Sequence, residues 1–250
     1  MAKEKFSNLL SPTNFLSVAA PEFVRPPSSD GMAVRFRHIS CGGSMSQVNT
    51  EQPRRGSMTI YPKIWFLRHG QTEWNKAYRL QGQLDSPLTD QGIAEAHRQA
   101  AIMPPILAQD PSLFVSPLGR TRQTADIALC GAPYKTDPRL MEIHAGRWQG
   151  MLRADILAAN PALVASGAAA LEIYDAADGG EGVAALHRRI KAFMASLSGP
   201  SVVVAHGLLG QVLRAEACGV PISAAGALSN HQGCVYVLEN GTETLLEAAG

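Results

Sequence analysis

From residue 58 onward, short apolar runs alternate with longer stretches of helical periodicity. Ile64–Leu67 is continuously apolar between Pro62 and Arg68-His69-Gly70, the pattern of a strand buried on both faces. Leu113–Val115 is a second run, ended by Ser116-Pro117. Ser201–Ala205 is a third, rich in β-branched residues and stopped by His206-Gly207. Cys234–Leu238 and Thr242–Leu246 flank Asn240-Gly241 and read as a hairpin. Helices are predicted in the intervals. One starts at a Thr89 cap, runs through Ile93, Ala96 and Ala100 towards Ile102, and ends at Pro104-Pro105. A second spans about Gly119 to Leu129. A third spans about Glu181 to Leu197, with Val183, Leu186, Ile190, Phe193, Met194 and Leu197 on one face. A fourth follows Gly207 and stops at Gly219-Val220-Pro221. Strands alternating with helices predict an α/β fold: a three-layer sandwich with a mostly parallel central sheet flanked by helices on both faces.

Residues 1–57 follow neither period. Pro12, Pro21, Pro26, Pro27 and Pro53 interrupt every candidate element, and so little apolar surface offsets the ordering entropy that a disordered N-terminal extension is expected. The apolar patch Phe15–Ala20 is too short for a signal sequence, and Glu4 and Glu22 argue against a transit peptide. Met58 opens Met-Thr-Ile-Tyr-Pro and is an alternative start. The working domain is therefore 58–250.

Composition narrows the class. The chain has 250 residues, 46% hydrophobic and 17% charged, enough to bury a core without staples. Its four cysteines (Cys41, Cys130, Cys218, Cys234) form no Cys-x-x-Cys pair, which argues against a metal knuckle and suits a reducing, cytoplasmic setting. The net charge of +1 averages a basic lead segment with a mildly acidic body. It leaves no footprint for a nucleic-acid partner. No apolar run approaches the roughly 18 residues of a membrane span. No carboxylate or cysteine stands at metal-ligand spacing from the histidines, so neither a metal nor a cofactor is expected.

Chemistry gathers at the strand ends. In open α/β sheets ligands bind beyond the carboxyl ends of the strands. There the first strand delivers Arg68-His69-Gly70, the second is followed one turn later by Arg120, and the third delivers His206-Gly207. Two arginines and two histidines converging suggest an anion, most simply a phosphoryl group, because the guanidinium fork stays charged and binds paired oxygens. Helix starts directly after Gly70 and Gly207 would add backbone N–H donors.

Leu67-Arg68-His69-Gly70-Gln71-Thr72-Glu73-Trp74-Asn75 resembles the signature of the histidine phosphatase superfamily, in its phosphoglycerate mutase-like branch. The resemblance continues in order through Arg79-Leu80-Gln81-Gly82, Asp85-Ser86-Pro87-Leu88-Thr89, Ser116–Ala125, Leu140-Met141-Glu142, Gly146–Gly150, Gly180-Glu181-Gly182 and His206-Gly207. It covers 58–250 and none of 1–57. It implies that His69 is a nucleophile forming a phosphohistidine. It also implies that Arg68, Arg120 and His206 cradle the phosphoryl group with Asn75, Gln81 and Gly207 assisting, and that Glu142 is the general acid and then the base.

Within that family the chain is similar to the phosphatases more than to the mutases. Mutases follow the acid with Arg and then Tyr-Gly; here Glu142 is followed by Ile143-His144-Ala145-Gly146. Residues 151–180, the expected cap over the site, hold Arg153 as their one cation beside Asp155, Glu172, Asp175 and Asp178. Arg188-Arg189 reads as a helix surface. The resemblance thus implies a metal-independent phosphomonoesterase acting on a small phosphate ester, closest to the broad-specificity and alpha-ribazole-type phosphatases. A cofactor-dependent mutase is the alternative, and a non-catalytic phospho-ligand module a lesser one. Leu208 stands where the family often has a further glycine, and is expected to crowd the pocket edge. His97, His187 and His231 carry no expected role, and His144 is expected to be structural.

Overall fold

A computed structural model of the chain describes residues 60–248 in full and the backbone of 34–38. In chain order the elements are β1 (Val34–His38), β2 (Ile64–Arg68), α1 (Glu73–Lys76), α2 (Asp90–Ile102), α3 (Pro104–Leu107), β3 (Ser112–Val115), α4 (Gly119–Ala128) and β4 (Lys135–Thr136). These are followed by α5 (Arg153–Ala159), α6 (Pro161–Ala165), α7 (Ala170–Asp175), α8 (Gly182–Ala195), β5 (Ser201–Ala205), α9 (Gly207–Cys218), β6 (Cys234–Glu239) and β7 (Thr242–Ala248).

The strands form one sheet in the order β1-β7-β6-β2-β5-β3-β4. Pairing is parallel through β2, β5, β3 and β4, and antiparallel from β2 outward through β6, β7 and β1. Strand alternation sorts the core into two layers. Ile64, Phe66, Val203 and Ala205 face α8 and α9, where Leu186, Ile190, Phe193, Leu209 and Val212 meet them. Trp65, Leu67, Val202 and Val204 face the opposite layer, built on Ile102, Met103, Ala125 and Leu129. The expected three-layer α/β sandwich is present.

Local signals account for most boundaries. Thr89 caps α2 by accepting from the Gly92 N–H at 3.1 Å, an arrangement that contributes about 1 kcal/mol. Asn240 and Gly241 have φ of 52° and 75°, the two left-handed residues of a type I′ hairpin turn joining β6 to β7. Gly219 closes α9 in the left-handed conformation, φ 68°. Pro104 and Pro105 do end α2, but they also open the short helix α3, since a proline at a first helical position needs no N–H partner.

Two expectations change. Residues 34–38 fall inside the segment expected to be disordered, yet they form β1, antiparallel to β7 from Val34↔Ala248 to His38↔Thr244. Without β1, β7 would be an edge strand, and the short alternation Val34-Arg35-Phe36-Arg37 supplies a segment that can pair with it. The remainder of 1–57, and Met58, lie outside the described residues. Second, no helix begins directly after Gly70. Thr72 caps a one-turn helix that starts at Glu73. Among the described residues no helix is long and apolar enough to cross a membrane.

Candidate active site

The parallel register brings the three chemistry-bearing strand ends side by side. Arg68 pairs with Ala205 across β2 and β5, and the His69 N–H donates to the Ala205 carbonyl at 3.0 Å. On the other side of β5, the Ser116 N–H donates to Val204 at 3.0 Å. One residue beyond each strand end therefore stand His69, His206 and Ser116, and α4 sets Arg120 next to them. Arg68, His69, Asn75, Gln81, Arg120, Glu142 and Gly207 line one pocket of about 170 Å³, together with Ala170, Tyr174, Leu208 and Asn230. His206 lies against His69, with ring centroids 5.3 Å apart. Among the described residues, a larger cleft of about 380 Å³ beside Lys63, Trp65 and Ile102 is lined by no histidine or arginine.

His69 has a defined tautomer. Its Nδ1 lies 2.7 Å from the Gly70 carbonyl, which can only accept, so Nδ1 carries the proton. Nε2 keeps its lone pair, on which Arg120 Nε donates at 3.3 Å. Burial, then the charges of Arg120 and Arg68, hold the His69 pKa well below the usual 6.5. A buried neutral imidazole with a bare ring nitrogen is a competent nucleophile. His206 is fully buried, held neutral by burial first and Arg120 next, and its Nε2 lies 2.7 Å from Ser116 Oγ.

The arginines are fixed by oxygen acceptors. Arg120 NH1 donates to the Leu84 carbonyl at 2.7 Å and to Asp85 Oδ1 at 3.0 Å, and NH2 donates to the Gly82 carbonyl at 2.8 Å. Asp85 also accepts the Gly119 N–H at 2.6 Å, so a single carboxylate caps α4 and aims the side chain that α4 carries. Arg68 NH1 donates to the Asn230 carbonyl at 2.5 Å. Arg68 Nε and His206 Nδ1 are buried with no hydrogen-bond partner, and the guanidinium N–H is a donor that an anion satisfies.

Glu142 arrives from a loop, not from a strand end. Its carboxylate accepts from Ile143 N at 2.9 Å, from Leu208 N at 3.0 Å and from Leu209 N at 2.9 Å. The first amides of α9 are thus already bonded to Glu142, so the helix start after Gly207 orients this carboxyl. Asn75 and Thr72 form a reciprocal cap, Asn75 N to Thr72 Oγ1 at 3.1 Å and Thr72 N to Asn75 Oδ1 at 3.2 Å. That fixes the Asn75 amide at the pocket wall. Gln81 Nε2 donates to the same Thr72 hydroxyl. Gly207 leaves room for its neighbours: a Cβ would come within 2.7 Å of Asn230 Nδ2 and 3.1 Å of Arg68 Nε and would displace those side chains.

The structure therefore gathers every residue expected at the site. It places His144 as expected too, with Nδ1 accepting from Gly146 N at 3.0 Å. The reading of Arg188-Arg189 as a helix surface holds for Arg188 alone. Arg189 turns inward, donates to Glu181 at 2.7 Å and 3.0 Å, and reaches the Glu142 carbonyl at 3.1 Å. Asp85, Ser116 and Asn230 were given no site role by sequence, Tyr174 was read only as part of the cap, and Arg189 as helix surface. Asp85 and Ser116 do sit within recognisable blocks. Asn230 and Tyr174 lie in a loop and a short helix with no motif of their own.

The profile of the Histidine phosphatase superfamily (branch 1) matches residues 64–246. The chain belongs to this superfamily. Among its relatives is "Probable phosphoglycerate mutase GpmB" of Yersinia pestis (strain Pestoides F), 44% identical over 92 residues. That match spans 34% of this chain and 39% of the relative, so less than half of each is compared. A mycobacterial glucosyl-3-phosphoglycerate phosphatase, solved with VO3, superposes with a TM-score of 0.59 at 29% identity, covering 75% of this chain and 98% of that one. The alpha-ribazole phosphatase of Shigella flexneri superposes with a TM-score of 0.61 at 24% identity, covering 75% and 96%, and so shares the fold.

Proposed function

We propose that the protein is a metal-independent phosphomonoesterase acting on a small phosphorylated metabolite. The observation that carries this reading is the bare Nε2 of a buried neutral His69, set between Arg68 and Arg120 in the pocket that Glu142 also lines.

The substrate phosphoryl oxygens take up the donors of Arg68 Nε and His206 Nδ1, and draw Arg120 Nε off the His69 ring. In the first step Nε2 attacks phosphorus. The N–P bond forms as the P–O bond to the alcohol breaks, and Glu142 gives its proton to the departing oxygen. In the second step water attacks phosphorus, gives a proton to the Glu142 carboxylate, and the N–P bond breaks to restore neutral His69. The two guanidinium groups supply the charge stabilisation on which phosphoryl transfer depends, and their charge disfavours a cation beside them.

A mutase reading has one point in its favour, the 44% identity over 92 residues to a protein so named. Against it, the two lining residues from the cap, Ala170 and Tyr174, offer no cation for a second phosphate. The test is phosphate release from p-nitrophenyl phosphate in EDTA, with trapping of acid-labile ³²P on the protein. Release that persists in His69→Ala, or that requires 2,3-bisphosphoglycerate as primer, overturns the phosphatase reading.

A further inference from the structure

Which alcohol leaves is decided by the wall opposite His69, and that wall is built by the cap. Helices α5 to α7 have a small core of their own, in which Ile156, Ala168, Ile173 and Ala177 pack on Leu80 and Ala145 of the main body. From this platform α7 sends Ala170 and Tyr174 into the pocket, where Asn75, Gln81, Leu208 and Asn230 complete the lining. The cations that line it are Arg68 and Arg120, and both stand at the phosphoryl end beside His69.

Other basic side chains of the region are engaged elsewhere or stand outside the lining. Arg79 donates to the Gly150 carbonyl and lies 5.8 Å over the Trp74 ring. Arg147 is exposed and pairs with Asp178 at 3.1 Å. Arg189 is held by Glu181. Arg153, the one cation of residues 151–180, heads α5 and is not part of the pocket wall.

Tyr174 is the polar group the cap contributes. Its phenol is pushed up to about 12, by burial first and then by the negative charge of Glu142, while the backbone N–H groups of Gly82 and Gln81 face its oxygen. It therefore keeps its proton at any working pH. Tyr174 lines the pocket, so its hydroxyl can donate to an acceptor bound there.

Resting on the phosphatase reading, we propose that Tyr174 and the uncharged cap wall select phosphomonoesters of uncharged, hydroxyl-bearing alcohols and reject esters that carry a second acidic group. A substrate hydroxyl finds the Tyr174 O–H and the amides of Asn75, Gln81 and Asn230. A carboxylate or second phosphate in the same place finds no guanidinium at the cap wall. A charge desolvated without a partner is costly, so discrimination here comes from what the wall withholds.

Two esters that differ at one group provide the test: glycerol 1-phosphate, with a hydroxymethyl, and 3-phosphoglycerate, with a carboxylate. The wild type is expected to favour the glycerol ester at least tenfold in kcat/KM. In Tyr174→Phe, KM for glycerol 1-phosphate rises several-fold more than KM for p-nitrophenyl phosphate, whose leaving group has no hydroxyl. Ala170→Lys, at the exposed start of α7, shifts the ratio at least fivefold towards 3-phosphoglycerate. Equal or better use of 3-phosphoglycerate by the wild type overturns the proposal, as does a Tyr174→Phe change that is the same for both esters. Hydrolysis of p-nitrophenyl phosphate separates the two levels. If it proceeds while the preference is reversed, only the selectivity proposal falls; if no ester is hydrolysed, both fall.

Discussion

Arg189 holds the main chain of Glu142: its NH2 donates to the Glu142 carbonyl at 3.1 Å while the same guanidinium grips the Glu181 carboxylate at 2.7 Å and 3.0 Å. Glu181 in turn accepts the His144 N–H at 2.9 Å, and Arg189 NH1 donates to the Arg139 carbonyl at 2.6 Å. The loop carrying the carboxyl group is thus clamped on both sides of Glu142 by a bidentate ion pair rooted in α8.

Arg189→Met removes the clamp and leaves Glu181 without its partner, at a cost of about 1–3 kcal/mol of stability. Because the loop loosens rather than the phosphoryl site, kcat is expected to fall about tenfold with a smaller change in KM. Arg188→Met, on the exposed side of the same helix, serves as the control and changes neither. Equal effects of the two variants would remove Arg189 from any positioning role.

Asp85→Asn tests the second arginine. The carboxylate holds Arg120 at 3.0 Å and caps α4 through Gly119. The amide keeps one acceptor oxygen but loses the charge. A loss of about tenfold in kcat/KM, the equivalent of ~1.4 kcal/mol, is expected, with unfolding stability lowered by no more than about 1 kcal/mol. A chemical-denaturation curve alongside initial rates separates the two effects.

Two glycines predict opposite failures. A Cβ at Gly70 would lie 2.1 Å from the Gly92 carbonyl oxygen on α2, a backbone clash that no rotamer relieves. Gly70→Ala is therefore expected to give little folded protein. At Gly207 the nearest atoms are the side-chain amide of Asn230 and Arg68 Nε, which can move. Gly207→Ala is expected to fold, with a melting temperature within a few degrees of wild type, and to lose most activity because Arg68 is displaced.

The buried histidines set an acid dependence. His69 and His206 are both held well below the usual 6.5 in the fold, first by burial and then by arginine charge. The unfolded chain therefore binds more protons than the folded one once pH falls below 6.5. Their stabilising contribution is complete above that value and declines progressively as pH drops towards the folded-state pKa values. Denaturation midpoints should fall from pH 7 to pH 5, less steeply in His206→Asn. The acid limb of kcat/KM attributable to His69 should likewise lie below 6.5.

Much of this is legible in the amino-acid sequence. The apolar runs at Ile64–Leu67 and Ser201–Ala205 are buried parallel strands, because a strand covered on both faces has no polar side to show. The blocks around Arg68, Arg120 and His206 converge in one site because they end or follow neighbouring strands, and Glu142 joins them from a loop. Strand β1 was missed although Val34-Arg35-Phe36-Arg37 alternates apolar and charged positions, because so short a run in a proline-broken segment does not stand out and its pairing with β7 is decided by the fold.

The sequence by itself determined the layered fold, the strand ends that meet and the residue types of phosphoryl chemistry, all of them local patterns repeated along the chain. The tertiary structure alone decided how those residues are held: Arg189 turned inward, Asp85 on Arg120, Glu142 on the amides of α9, and Tyr174 and Asn230 in the wall. Arg189 reaches Glu142 from 47 residues away, and Arg68 reaches Asn230 across 162. No spacing rule spans such separations, because only the packed chain brings those donors and acceptors within hydrogen-bond distance.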